Sequence, residues 1–73
     1  MVSESDFIQF VAGVLDVPVS SLTMDTAQST IVEWDSMAHL RLIMEVQDQY
    51  GVQIPLVEFK NLRTIRDLYV RLG

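Results

Sequence analysis

At 73 residues with no cysteine, the chain is near the lower size limit for a domain that folds without disulfides, and it shows no metal-ligand cluster to take their place. Apolar residues make up 49% of it, so packing must supply the stability, and the sequence reads as one domain over residues 1–73. The net charge of −5 is uneven: residues 1–40 hold Glu4, Asp6, Asp16, Asp25, Glu33 and Asp35 with no Lys or Arg, a distribution that argues against nucleic-acid binding and for basic protein partners.

The opening "MVSESDFIQF" lacks the basic start and cleavage site of a signal peptide, and the longest apolar runs are far too short to span a membrane. A soluble, cytoplasmic, monomeric chain is expected, and the lack of cysteine suits that compartment. The first element is a helix. Phe7, Phe10, Val11, Val14 and Leu15 recur at i, i+3, i+4, i+7 and i+8, Ser3 and Asp6 form a capping pair, and Pro18 ends the segment. Gly13 within it suggests close approach of a neighbouring helix.

No periodicity holds from Asp16 to Asp35. A loop of about 20 residues in so small a domain needs a function or anchors, and Leu22, Met24, Ile31 and Trp34 are spaced like anchors. The segment is therefore read as ordered, with a short helical turn inside it. Met37 to Tyr50 follows as the clearest helix, capped by Asp35 or Ser36 and closed by Gly51 in a left-handed conformation. Its apolar residues Leu40, Leu42, Ile43, Met44, Val46 and Tyr50 sweep an arc of about 200°, which predicts a central helix packed on two sides. Ala38, Arg41, Glu45, Asp48 and Gln49 fill the opposite face, with Met37 and Met44 at the border. "LVEFKNL" allows one or two helical turns, and Thr64 with Asp67 opens a last helix whose Ile65, Leu68, Tyr69 and Leu72 face inward. The expectation is an all-α bundle of three main helices plus one short helix, with a long ordered loop between the first two.

Catalysis has few materials here. The one histidine, His39, lies one turn after Ser36, but no third group orients it and a helix surface offers no oxyanion hole. His39 is expected as a partly exposed helix residue, and no enzyme activity is expected. Ser36 is either an ordinary helix start or a modification site. A helix N-terminus presents free N–H groups and a positive dipole end, which suits a phosphate-bearing modification.

The stretch "DSMAHLRLIMEVQDQYGVQIP" followed by "LVEFKNLRTIRDLYVRL" resembles the acyl carrier proteins, of the phosphopantetheine-binding family that also includes peptidyl and D-alanyl carriers. The similarity runs over nearly the whole chain: an Asp-Ser-Leu/Met signature, an apolar-periodic helix, an aromatic, a turn and "IP". It implies that Ser36 is the attachment point for 4′-phosphopantetheine, transferred from coenzyme A by a phosphopantetheinyl transferase with Mg²⁺, and that Asp35 helps hold that metal in the complex. The arm would carry an acyl group as a thioester, charged by a loading ligase or transferase and presented to downstream biosynthetic enzymes. Members serving fatty-acid synthesis bear acids along the helix after the serine. The matching positions here are Ala38, Arg41 and Gln47, with Asp48 alone acidic. Met37 and Met44 keep the apolar contacts, and Trp34 is either a loop anchor or a partner contact. The resemblance thus implies docking through Trp34, Met37, Ala38, Arg41, Met44 and Asp48, and a pathway-specific carrier of secondary metabolism or envelope modification. An aminoacyl or D-alanyl carrier, and an unmodified acidic interaction module in which Ser36 only caps, are the alternatives.

Overall fold

A computed structural model describes residues 2–72. Three helices form the bundle: α1 (Glu4–Leu15), α2 (Ser36–Tyr50) and α3 (Ile65–Tyr69), the last running on as a 3-10 turn over Val70–Leu72. A 3-10 helix over Leu56–Asn61 is the short fourth element. The all-α bundle expected from sequence is therefore present. Among the described residues the sole β-type pairing is an isolated bridge between Ala27 and Thr64.

Local chemistry sets each helix end. Ser3 Oγ accepts from the Asp6 N–H at 3.0 Å and starts α1. The helix stops earlier than Pro18, at Asp16, which takes a left-handed φ of 58° while its N–H reaches the Ala12 carbonyl. Gly51 ends α2 in the expected left-handed conformation, at φ 67°. Thr64 and Asp67 form the full capping box of α3.

One core joins these elements. α1 buries Phe7, Val11, Ala12 and Leu15, while Phe10 and Val14 are only half-buried. From α3 come Ile65 and Leu68, with Tyr69 and Leu72 half-buried at its edge. The Phe7 ring lies 5.8 Å from that of Tyr50 and 5.6 Å from that of Tyr69, so an aromatic cluster links all three helices. Burial there, with a smaller contribution from the Asp6 carboxylate, pushes the Tyr50 phenol above its ordinary pKa.

α2 departs from expectation. Its buried stripe is His39, Leu42, Ile43 and Val46, an arc of about 100° rather than 200°. Leu40 and Met44, counted inward from sequence, are 41% and 59% exposed. Leu42, Val46 and Ile43 already span that arc with His39 inside it, and Leu40 and Met44 fall on the neighbouring, uncovered sector.

The segment between α1 and α2 is ordered, as its anchors predict. Leu22, Met24 and Trp34 are buried and Ile31 half-buried. Two 3-10 turns, Val19–Ser21 and Gln28–Thr30, lie within it. The loop also feeds the start of α3: Ile65 N–H donates to Thr26 O at 3.2 Å and Arg66 N–H to Met24 O at 2.8 Å, while Gln28 N–H donates to Arg63 O at 2.8 Å. A helix of five residues cannot satisfy its own first-turn N–H groups. Loop carbonyls and the capping box do it instead.

Gly13 reverses its expectation. It is exposed, and a Cβ built on it meets nothing within 4 Å. No neighbouring helix requires the glycine, so only its backbone entropy remains as an effect. Gly13→Ala is therefore expected to stabilise the fold by about 0.5–1 kcal/mol, read as a higher urea midpoint with an unchanged slope.

Candidate functional site

Asp35, not Ser36, caps α2. Asp35 Oδ1 accepts from the Ala38 N–H at 2.8 Å, and its carbonyl accepts from the His39 N–H at 2.8 Å. Ser36 is then the first helical residue, exposed, and its hydroxyl makes no hydrogen bond among the described residues. With Ala38 and His39 satisfied, the N–H groups of Ser36 and Met37 are the unpaired donors of the first turn. A free hydroxyl, two free N–H groups and a positive dipole end thus meet at one point.

The backbone around that point is held by a buried relay. Trp34 Nε1 donates to His39 Nδ1 at 3.0 Å, and His39 Nε2 lies 2.9 Å from the Phe59 carbonyl oxygen. Indole N–H is only a donor and a carbonyl only an acceptor, so the neutral imidazole must carry its proton on Nε2. His39 is 8% exposed, a correction to the partly exposed residue expected from sequence. Its Nδ1 lone pair and Nε2 proton are both engaged, leaving no nitrogen to act as a base toward Ser36. Trp34 is 1% exposed, which corrects its reading as a partner contact: it is the loop's anchor. By area, burying that ring is worth roughly 4–6 kcal/mol at most.

The remaining candidate docking residues separate into two groups. Met37 and Met44 are 77% and 59% exposed, and Arg41 and Asp48 are exposed with them. Core filling by the two methionines is thereby excluded. Ala38 is half-buried against the core, so it offers a partner little surface. Gln47 is occupied, its Oε1 accepting from the Ile54 N–H at 2.8 Å to fix the turn after α2. Sequence reasoning missed Leu40, which joins Met37 and Met44 in an exposed apolar strip within about 60° of helix surface. It also missed Leu56 and Val57, 73% and 77% exposed on the short helix. The usable signal was the stripe itself: with His39 placed in the core, 37, 40 and 44 fall together outside it.

Two open clefts meet at Ser36. The larger, about 670 Å³, runs between the loop and the end of the short helix, and Lys60 and Arg63 line it together with Ser36. The smaller, about 470 Å³, lies between α2 and the short helix and shares Ser36, Gln28 and Lys60. Asp35 is exposed, but among the described residues no three His, Cys, Asp or Glu side chains group as metal ligands. A metal at Asp35 would need donors from another molecule.

The profile of a family described as "Phosphopantetheine attachment site" matches residues 5–72. The chain is 27% identical over 70 residues to the acyl carrier protein of Thermobifida fusca, covering 90% of this chain and 89% of the relative. It is also 27% identical over 66 residues to the acyl carrier protein of Myxococcus xanthus, covering 81% and 84%. No solved structure gives a significant match. Among the described residues no helix is long and apolar enough to cross a membrane.

The relay yields a stability test. Trp34→Phe keeps most of the ring but leaves His39 Nδ1 buried without a donor, at an expected cost of about 1–3 kcal/mol. Chemical denaturation measures it, and a nitrogen-15 correlation spectrum of the neutral wild-type imidazole is expected to show the proton on Nε2. A proton on Nδ1 would contradict the relay.

Proposed function

The chain belongs to the phosphopantetheine attachment site family, and we propose that it is a carrier protein whose 4′-phosphopantetheine arm is joined to Ser36. The observation that carries this reading is the division of labour between Asp35 and Ser36. Because the carboxylate takes the capping bond, the serine hydroxyl is released for chemistry without loss of the helix start. Modification would form a bond between Ser36 Oγ and the pantetheine-side phosphorus of coenzyme A's pyrophosphate, breaking that phosphorus's bond to the bridging oxygen. The hydroxyl proton leaves to a base of the transferase, and adenosine bisphosphate departs. Asp35, whose Oδ2 is not used in the cap, supplies one ligand to the transferase's Mg²⁺ in that complex. The free N–H groups of Ser36 and Met37 favour the phosphodiester once it is made.

When bound, the arm supplies a thiol that activates an acyl group as a thioester, which explains how a chain without cysteine serves as a carrier. The protein holds and presents that group at high local concentration and performs no chemistry on it. Partner enzymes dock on Met37, Leu40 and Met44 beside Ser36, with Arg41 and Asp48 at the rim. An exposed apolar strip of soft side chains, with one cation and one acid at its rim, suits an apolar partner surface. This favours a dedicated set of loading and downstream biosynthetic enzymes.

Incubation with coenzyme A, Mg²⁺ and a phosphopantetheinyl transferase is expected to add the mass of one phosphopantetheine. Ser36→Ala should abolish the gain while changing stability by less than about 0.5 kcal/mol, since the cap is intact. A gain that survives in Ser36→Ala would refute the attachment site. Met44→Glu is expected to lower kcat/KM of a loading enzyme that accepts the wild type by at least about fivefold, with an unchanged melting temperature.

A further inference from the structure

The cations of this acidic chain are not used alike. Arg66 pairs with Glu4 and Asp25, and Arg71 pairs with Glu58. Among the described residues, Lys60 and Arg63 have no acidic partner within 4.0 Å, and both line the cleft of about 670 Å³ that opens at Ser36. The same cleft presents Gln28 and Val32, and one acid, Asp35, whose Oδ1 is turned to the Ala38 N–H. Lys60 lines the second cleft at Ser36 as well, so both clefts that open at the serine share it.

Resting on the carrier reading, we propose that this cleft is a parking site for the arm, with Lys60 and Arg63 holding its phosphodiester by charge. The occupant follows from tethering. A group bonded to Ser36 is present at the cleft mouth at an effective concentration that no free anion reaches, so contacts too weak to capture a free ligand suffice. The chemistry matches the lining: an anion for two cations without an acidic partner, amides for Gln28, and a branched aliphatic carbon for Val32. Parking on this side keeps the arm off Met37, Leu40 and Met44, so the apolar strip stays open to a partner while the cargo rests in the cleft. Because Lys60 and Arg63 are exposed, their hold is screened by salt. That makes the arm easy to release to an enzyme.

The test uses wild-type protein and Lys60→Gln/Arg63→Gln, each before and after attachment of the arm, with conversion confirmed by intact mass. Both substituted side chains are exposed, the bonds Arg63 makes to Gln28 and Asp67 are main-chain, and its one side-chain bond is a long, exposed contact of 3.5 Å to the Lys60 carbonyl, so the double variant is expected to fold. Amide spectra should show attachment shifting Gln28–Val32 and Lys60–Arg63 in the wild type. Those shifts should fall by roughly half or more at high salt, and likewise in the double variant. Shifts confined to Asp35–Met37, or lying on the Met37–Leu40–Met44 strip, overturn the parking site while leaving attachment at Ser36 intact. Cleft shifts that ignore both salt and the substitutions overturn the role of the cations. No mass gain in the wild type overturns the attachment reading itself, and the parking site with it.

Discussion

The hydrogen-bonded chain from Trp34 through His39 to the Phe59 carbonyl is the constraint on which the site depends. It joins three segments: the end of the long loop, the first turn of α2 and the short 3-10 helix. Each is weak alone. The loop has no periodicity of its own, and a 3-10 helix of six residues has poor hydrogen-bond geometry. A buried imidazole that must satisfy both nitrogens fixes the distance between them. Ser36 lies between Trp34 and His39 in the chain, so its position is set from both sides without its own side chain taking part.

The loop and α3 support one another in the same manner. α3 is too short to be stable alone, and its first N–H groups are met by the carbonyls of Met24 and Thr26. The loop gains ladder-like bonds it could not form internally, including the isolated bridge at Ala27 and Thr64. Leu22 and Met24 then bury the side of the loop that these bonds bring against the core. The result is an ordered segment of about 20 residues in a small domain, which loop-closure entropy alone would disfavour. It walls the larger cleft beside Ser36.

What was legible in the sequence was local. Ser3 with Asp6, Thr64 with Asp67 and Gly51 each act within a few residues, and the structure places each where its chemistry predicts. The anchors Leu22, Met24 and Trp34 were legible because large apolar side chains in a polar run have few other uses. What was not legible depends on partners distant in sequence. His39 is a core residue only because an indole N–H and a carbonyl 20 residues away reach its two nitrogens. Leu40 and Met44 lie outside the sector that Leu42, Ile43 and Val46 share with it, and among the described residues no other element covers them. Gly13 misled for the complementary reason: a helical glycine signals close approach only if something approaches, and nothing does.

The core position of His39 bears on the loop and the short helix as much as on α2. A leucine or isoleucine at that position would fill the core, but it would leave the Trp34 N–H and the Phe59 carbonyl without this partner. The imidazole meets both, and the buried stripe of α2 leaves Met37, Leu40 and Met44 uncovered in one strip. Ser36 lies on the border between the buried stripe and that strip. Its backbone is fixed by Asp35 and the relay, its hydroxyl is free, and an apolar surface runs along the helix beside it. The side chain that the cap leaves free is thus flanked by an apolar surface that the core does not use.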